Sequence, residues 1–175
     1  MRRSSREVRA AVNDLRREER ERPLPEMASA LVERVRAMAP DQDVRLAVGE
    51  GFPEVPLGRR GEEILSVIQE AMTNARRHSG ARNVRVNLDA GTEELVVEVS
   101  DDGRGFGAGA APGVGLSSMR ERAAALGGRL EVESAAGSGT TVRLTVPRSG
   151  PSRETAEDGA VRPAPAGPRQ NGGRA

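Results

Sequence analysis

The spacing of hydrophobic positions divides most of the chain into helices and strands. Apolar residues recur every three or four positions in four stretches, which predicts amphipathic helices over 3–22, 26–39, 59–78 and 116–126. They alternate with polar residues, or run together briefly, in five other stretches, which predicts strands over 43–48, 84–88, 95–99, 130–133 and 140–146. Pro23 and Pro25 separate the first two helices, and Gly80 is expected to end the third in a left-handed conformation.

The order of these elements predicts the fold class. Strands that follow one another through short turns can pair as hairpins, and the helices would then share one face of the sheet. We therefore expect an α+β fold, a two-layer α/β sandwich whose mixed, mainly antiparallel sheet is covered on one face by helices. The segment 148–175 is rich in proline, glycine, arginine and alanine with almost no apolar residues, which predicts a disordered tail.

Composition narrows the function classes only a little. The 27 basic and 26 acidic residues are interspersed and give a net charge of +1, so charge offers no argument for nucleic acid or membrane binding. Cysteine is absent, which fits a cytoplasmic location and excludes disulfides and thiolate metal sites. No apolar run approaches the roughly 18–20 residues that a membrane-spanning helix needs. We expect no nucleic acid partner and no membrane segment in this chain.

Three polar residues in the third predicted helix are candidates for chemistry. Glu70, Asn74 and His78 are four residues apart, so they would lie roughly along one face. Glu70 could orient or accept a proton, and Asn74 could offer its carbonyl oxygen to Mg²⁺. The alternative is a solvated polar face, with His78 interacting with the last carbonyl groups of the helix.

A glycine-rich segment follows the strand at 95–99. Asp101 opens the sequence DDGRGFG, and glycines continue to the start of the next predicted helix, where the N–H groups of 113–116 would be free to meet phosphate. Aspartate before glycine is also common turn chemistry, so this signal alone leaves both readings open. The cluster GSGT at 137–140 is equally compatible with a plain hairpin turn.

Taken together and in this order, these motifs resemble the catalytic ATP-binding domain of sensor histidine kinases, in the superfamily of the gyrase-type ATPases. EAMTNARRH at 70–78 is similar to the N box of that family, DDGRG at 101–105 to its first glycine box, and GVGL at 113–116 to its second. The segment 115–147 looks especially like the kinases that pair with helix-turn-helix response regulators. The resemblance covers 26–147 well, and 1–22 weakly resembles the end of a dimerisation helix hairpin.

The resemblance implies ATP and Mg²⁺ as cofactors and a role for each matching residue. Asp101 would bind the adenine amino group, Asn74 would ligate Mg²⁺, and Glu70 would assist phosphoryl transfer as the catalytic residue. The glycines of the two boxes would shape the lid and admit the phosphates, and the basic end of the N box would face phosphate. The remaining ATP-binding candidates are Arg77, His78, Gly103, Gly105, Gly113, Gly115, Leu116 and Thr140.

One departure from the family pattern concerns the phosphoacceptor. These kinases carry an acceptor histidine upstream of the ATP domain, whereas no histidine precedes Glu70 here. We therefore expect phosphate transfer to a histidine supplied in trans, with a response regulator or a histidine-bearing protein as partner. The resemblance would also permit a homodimer through the N-terminal helix. The alternatives are an ATP-responsive binding module without phosphotransfer and a serine kinase of the anti-sigma-factor type, although MRERAAALGG at 119–128 favours the histidine kinase branch.

Overall fold

The computed structural model of the protein describes residues 21–107 and 113–149. The helix predicted over 3–22 lies almost wholly outside the described residues, and so does the predicted tail apart from its first two positions. Of residues 107–112, which lie between the two glycine boxes, the structure likewise describes only Gly107.

A five-stranded mixed sheet forms the centre of the described fold. Its strands lie in the order β1-β2-β3-β5-β4, with β1 parallel to β2 and every other neighbouring pair antiparallel. The strands are β1 (Asp43–Val48), β2 (Asn83–Ala90), β3 (Glu94–Asp101), β4 (Arg129–Ser134) and β5 (Thr140–Pro147). The predicted mixed, mainly antiparallel α+β sheet is thus confirmed. The one parallel pair requires a crossover connection, which a helix supplies.

Within the described ranges three α-helices accompany the sheet, and a π-helical turn, Ala75–Ser79, continues the second of them. The α-helices are α1 (Leu24–Met38), α2 (Arg59–Asn74) and α3 (Val114–Ala125). Helix α1 begins between the two prolines that we expected to precede it. Pro25 occupies its first turn, where a missing N–H group leaves no hydrogen bond unmade.

The core lies between the helices and the facing side of the sheet. Alternate residues of β2 and β3 are buried, as the period of a strand requires when one face is covered. Aliphatic residues fill most of this core, and Phe52 is the one buried aromatic among the described residues. The largest fully buried side chains of the described residues are Leu24, Ile64, Ile68, Leu88, Leu95, Met119 and Leu144.

The last described residues are tied to the domain. The Arg148 N–H donates to the Glu93 carbonyl at 2.7 Å, and its guanidinium donates to the carbonyls of Gly91 and Gly51. Arg60 of α2 in turn donates to the carbonyls of Pro147 and Arg148. None of the helices in the described part of the chain has the length and apolar character needed to cross a bilayer.

Candidate nucleotide-binding site

A cavity of about 410 Å³ opens between the C-terminal half of α2 with its π-helical turn, the end of β3, the start of β5 and the start of α3. This volume lies within the range typical of small-molecule sites. Its wall is mixed, with aliphatic side chains between a few carboxylate, amide, imidazole and hydroxyl groups. The lining residues are Glu70, Ala71, Asn74, His78, Ser79, Val99, Asp101, Gly105, Phe106, Gly113, Val114, Gly115, Leu116, Thr140 and Val142.

Most of the residues singled out from the sequence meet in this cavity. Nine of the eleven candidates line it, although they come from six separate elements and loops. The two that do not are Arg77, whose side chain is exposed on the π-helical turn, and Gly103, which is buried in the loop after β3. The nine are Glu70, Asn74, His78, Asp101, Gly105, Gly113, Gly115, Leu116 and Thr140.

The end of helix α2 departs from the regular α-helix that the sequence predicted over 59–78. Regular α-helical geometry stops at Asn74, and Ala75–Ser79 form a π-helical turn that ends at Gly80 with φ of 66°. A π turn contains more residues than an α turn, so it changes the direction of the side chains that follow it. Glu70, Asn74 and His78 nevertheless all reach the cavity. The left-handed cap expected at Gly80 is confirmed.

The two adjacent aspartates at the end of β3 have different surroundings. Asp101 lines the cavity, and its Oδ1 accepts a hydrogen bond from the Gly103 N–H at 2.9 Å. Asp102 points to the start of β2, where its carboxylate accepts from the N–H groups of Arg82 and Asn83 and from the Asn83 side-chain amide. The side-chain hydrogen bond from Asn83, followed by its backbone N–H, holds the pKa of Asp102 below its ordinary value. Asp102 therefore joins the end of β3 to the start of β2, whereas Asp101 is directed at the cavity.

The loop after β3 is held on one side by the π-helical turn. The Arg104 N–H donates to the Ser79 carbonyl at 2.8 Å. Gly103 lies so close to Ser79 that a Cβ atom at position 103 would overlap the Ser79 side chain and carbonyl oxygen. This packing explains why glycine is required at position 103, although the residue does not line the cavity.

The turn between β4 and β5 holds the same loop from the other side. The Gly137 N–H donates to the Arg104 carbonyl at 2.6 Å, and the Phe106 N–H donates to the Ser134 hydroxyl at 2.9 Å. Gly105 has a φ of 57°, and a Cβ atom there would meet the carbonyl oxygens of Ala135 and Gly139. The GSGT cluster therefore does more than join two strands, because its turn packs directly on the glycine loop.

The start of α3 faces the polar end of α2. Gly113 is the N-cap, and the first intrahelical bond runs from the Ser117 N–H to the Gly113 carbonyl. The N–H groups of Val114, Gly115 and Leu116 thus have no partner within the helix, and they lie within the stretch 113–116 whose N–H groups were expected to be free. A Cβ atom at Gly115 would overlap the Glu70 carboxylate, so the carboxylate occupies space that only a glycine at position 115 leaves open.

Basic side chains without an ion-pair partner among the described residues lie beside the cavity. Arg76, Arg77 and His78 are exposed on the π-helical turn, and none of them takes part in an ion pair within the described ranges. An unpaired basic segment beside a site attracts anionic ligands. Glu70 and Asn74 place a carboxylate and an amide group on the inner wall. No group of three or more His, Asp or Glu side chains among the described residues could hold a metal on its own.

Sequence reasoning missed the apolar part of the cavity wall. Val99 and Val142 were assigned only to predicted strands, and Phe106 only to the glycine-rich segment. The available signal was positional: Val99 lies two residues before Asp101 and Val142 two after Thr140, so they share a sheet face with these residues. The missed lining residues are Ala71, Ser79, Val99, Phe106, Val114 and Val142.

Comparison with known proteins places this fold and cavity in a family. Residues 60–150, just over half of the chain, match the family of histidine kinase-, DNA gyrase B- and HSP90-like ATPases. The chain belongs to this family, and the domain is an ATP-binding ATPase domain of the histidine kinase type.

Curated relatives are similar over the same region. The sensor histidine kinase LiaS of Bacillus subtilis is 40% identical over 88 residues, which are 49% of this chain and 24% of LiaS. The sensor histidine kinase LnrJ of the same organism is 40% identical over 79 residues, 45% of this chain and 20% of LnrJ. A sensor-like histidine kinase of Chloroflexus aurantiacus is 34% identical over 125 residues, 66% of this chain and 21% of that protein. The chain thus spans about a quarter or less of these relatives.

Solved structures share the fold at lower identity. The histidine kinase domain of a blue-light activated kinase from Erythrobacter litoralis gives a TM-score of 0.63 at 24% identity, covering 73% of this chain and 62% of that one. The ATP-binding domain of PrrB from Mycobacterium tuberculosis gives a TM-score of 0.60 at 22% identity, covering 74% of this chain and 96% of that one. At these identities the likeness speaks for the fold alone.

Proposed function

We propose that this chain is the catalytic domain of a two-component histidine kinase, which transfers the γ-phosphate of ATP to a histidine supplied in trans. The observation that carries the proposal is the meeting of Glu70, Asn74 and Asp101 in one cavity beside the unpaired N–H groups of α3. Those groups match the three parts of a nucleotide site: a polar anchor for the base, oxygen ligands for a metal, and donors for phosphate.

Base recognition is assigned to Asp101. The Gly103 N–H fixes the Asp101 carboxylate through Oδ1, which leaves Oδ2 as an acceptor. Adenine presents an amino group, a donor, where guanine presents a carbonyl oxygen, an acceptor. The valines on the same face of β3 and β5, Val99 and Val142, would contact the flat surface of the base.

The phosphate end is assigned to the start of α3 and to Asn74. A helix N-terminus with free N–H groups binds anions, and the basic π-helical turn adds positive charge nearby. Mg²⁺ usually takes one or two protein oxygens and completes its shell with phosphate and water, so the Asn74 carbonyl oxygen fits that requirement without a preformed acidic cluster. Bound in this way, Mg²⁺ would neutralise charge on the phosphates.

Glu70 is assigned to the transfer itself. In the proposed reaction an imidazole nitrogen of the acceptor histidine forms a bond to the γ-phosphorus, and the bond from that phosphorus to the β–γ bridging oxygen breaks, leaving ADP. The imidazole loses a proton, which Glu70 is placed to orient or accept. Its carboxylate packs against Gly115 at the phosphate end of the cavity.

The acceptor lies outside this sequence in the proposal. His78 is the only histidine of the 175 residues, and it lines the cavity wall rather than facing it from outside. We propose that a response regulator then receives the phosphate, in keeping with the sensor histidine kinases that the chain resembles, and that the reaction takes place in the cytoplasm. A homodimer through residues 1–22 would be a separate contact, because a second copy has the same sequence and brings no acceptor histidine.

Incubation with γ-labelled ATP tests the transfer. The purified chain is mixed with Mg²⁺ and candidate histidine-bearing domains, and acid-labile phosphate is measured on each protein. We expect label on the acceptor protein, none on the chain alone, and loss of transfer in Glu70→Ala with ATP binding retained. Acid-labile phosphate on His78 would contradict the assignment of that residue to the cavity wall.

The two alternatives predict different products in the same reaction. An ATP-responsive binding module would bind nucleotide without labelling any acceptor. A serine kinase of the anti-sigma-factor type would give acid-stable label, because phosphoserine survives the acid treatment that hydrolyses phosphohistidine. Acid stability of the product therefore separates the three functions.

A further inference from the structure

We infer that Ser134 is a positioning residue that fixes the Thr140 hydroxyl as a hydrogen-bond acceptor toward the nucleobase. Ser134 does not line the cavity, whereas Thr140 does. This inference rests on the proposed binding of ATP in the cavity, with adenine at Asp101. It adds a determinant of base selectivity that lies outside the cavity wall.

The register of the sheet places Ser134 in line with two residues that line the cavity. Ser134 of β4 pairs with Thr140 of β5, and Thr140 pairs with Asp101 of β3. Residues directly opposite in neighbouring antiparallel strands have Cβ atoms roughly 4.5–5.5 Å apart and point to the same face. Ser134, Thr140 and Asp101 thus form one row across three strands, and the last two of them reach the cavity.

The hydrogen bonds of Ser134 determine the direction of the next hydroxyl. Its Oγ donates to the Gly139 carbonyl at 3.0 Å and accepts from the Phe106 N–H at 2.9 Å. The Thr140 Oγ1 lies 3.1 Å from the same oxygen. A serine hydroxyl has a single proton, and here that proton is used on Gly139. The proton in the Ser134–Thr140 hydrogen bond must therefore come from Thr140.

The Thr140 hydroxyl can act only as an acceptor toward the ligand. Because its proton is donated to Ser134, it offers only its lone pairs to the cavity. Asp101 offers a carboxylate from the neighbouring position. Two acceptors side by side favour a base that presents an amino group and disfavour one that presents a carbonyl oxygen there. Ser134 thereby contributes to the preference for adenine without touching the nucleotide.

Removal of the Ser134 hydroxyl would release the Thr140 proton. It could then bond to Asp101 and occupy an acceptor that adenine needs, or turn toward the cavity and donate to a carbonyl oxygen of the base. Either outcome lowers the preference for adenine. ITP is the matched probe, because inosine differs from adenosine in carrying a carbonyl oxygen in place of the amino group.

Calorimetric titration with ATP and with ITP, both with Mg²⁺, tests the inference on the full chain. We expect the parent to prefer ATP, and Ser134→Ala to lower this ATP-to-ITP affinity ratio roughly three- to tenfold, the loss associated with about one hydrogen bond. Ser134→Thr keeps the hydroxyl and should retain the parent ratio. Ser138→Ala is the control, because Ser138 lies in the same turn with an exposed side chain and no side-chain hydrogen bond among the described residues.

Other outcomes would overturn the inference. An equal loss of ATP and ITP affinity in Ser134→Ala would show a purely structural role, and an unchanged ratio would show no role in selectivity. If Ser134→Ala does not fold, Thr140→Val supplies the second test, since it removes the same acceptor and should lower the ratio by a similar factor. A parent chain that binds neither nucleotide would instead remove the proposed function, and this inference with it.

Discussion

Asp101 and Asp102 show how the surroundings of a residue decide its role. Both are carboxylates in one dipeptide at the end of β3, but Asp102 is bonded to the start of β2 and Asp101 faces the cavity. The bonds of Asp102 hold together the strand end from which Asp101 projects. Asp102 thus acts on the proposed nucleotide site through the backbone rather than by contact.

Substitution of Asp102 should affect both stability and binding. We expect Asp102→Ala to lower the melting temperature and to weaken ATP binding severalfold at pH 7, because three donors lose their shared acceptor. Asp102→Asn keeps one carbonyl oxygen and should fall between the parent and the alanine variant. Thermal unfolding followed by circular dichroism, together with calorimetric titration, would measure both effects.

The difference in melting temperature between the parent and Asp102→Ala should depend on pH, because hydrogen bonds lower the pKa of Asp102 in the folded state. The stabilisation is therefore fully present above the unfolded-state pKa of about 3.9 and is lost as the pH falls through the folded-state pKa. The difference in melting temperature between parent and Asp102→Ala should be constant at neutral pH and narrow below about pH 4. A difference that grows on acidification would contradict this account of Asp102.

Asn74 offers a second test at the residue scale. If its amide oxygen is a direct ligand of Mg²⁺, Asn74→Ala should reduce Mg²⁺-dependent ATP binding about tenfold and metal-free binding much less. Calorimetric titrations with Mg²⁺ and with a chelator would measure the two affinities. Equal losses in both conditions would assign Asn74 a structural role.

The sequence predicted which residues meet in the cavity better than it predicted their surroundings. Asp101, Asn74 and Glu70 could be found because their side chains match the motifs of a known family. The division between Asp101 and Asp102 could not be found, since it depends on the distant Asn83, which β2 brings to the end of β3. The same limit applies to Ser134, whose partners come from three different segments.

At the scale of elements, the loop after β3 is clamped between two others. Ser79 of the π-helical turn bonds to it from one side, and the β4–β5 turn packs on it from the other. Each contact is a backbone approach that a side chain would block. The glycines of the first glycine box therefore serve packing as well as access to the cavity.

The clamp predicts unequal effects for two glycines of the same loop. Gly105→Ala should destabilise the domain by roughly 1–3 kcal/mol and weaken ATP binding, because the residue has a positive φ and no room for a Cβ atom. Gly107→Ala is the matched control, because no atom of the described residues lies near its Cβ position and its φ is not positive. Denaturant unfolding and calorimetry on both variants would measure the contrast. Similar effects for the two would show that the clamp has no special importance.

Helix α2 marks where element prediction reached its limit. Apolar spacing placed a helix over 59–78, and the helical conformation does extend to Ser79, but its last turn is π-helical. Hydrophobic periodicity does not distinguish one wider turn at the end of a helix. This turn brings Ser79 into contact with Gly103 and Arg104, which are about two dozen residues further along the sequence. No local sequence pattern indicates contacts between residues so far apart.

At the scale of the whole molecule, hydrogen bonds connect the end of β5 to α2 and to two loops of the described domain. Arg60 near the start of α2 bonds to the carbonyls of Pro147 and Arg148, and Arg148 bonds back to the loops before α2 and after β2. These contacts join both layers of the sandwich. They extend the contacts of the described domain to Arg148, one residue beyond the predicted boundary at 147.

Truncation tests this boundary. Ending the chain after Ser149 should leave the melting temperature unchanged, whereas ending it after Val146 should lower the free energy of unfolding by roughly 1–3 kcal/mol, because Arg60 then loses its acceptors. Differential scanning calorimetry on the two truncated chains and the parent would show the contrast. Equal stability of both truncations would mean that the Arg60 and Arg148 contacts contribute nothing measurable.

The fold class could be predicted because hairpin turns and strand alternation are local signals, as between β2 and β3. The parallel pairing of β1 with β2 was less accessible, since it depends on how α2 crosses the sheet. The cavity was predicted from family motifs and not from the hydrophobic pattern. Its aliphatic wall was identified only from the structure, in which the register of the strands brings Val99 and Val142 onto the same face.

The central claim is that this cavity binds ATP through Asp101, and one titration tests it most directly. Calorimetry of Mg²⁺–ATP with the parent chain should give a dissociation constant of about 10⁻⁵–10⁻³ M, as expected for an open pocket that encloses little of the ligand. Asp101→Asn preserves shape and the Oδ1 acceptor for Gly103, but it places an amide donor where adenine needs an acceptor. We predict no measurable binding for Asp101→Asn and unchanged binding for the exposed control Asp41→Asn. Parent-like affinity in Asp101→Asn, or no ATP heat from the parent at millimolar nucleotide, would contradict the account.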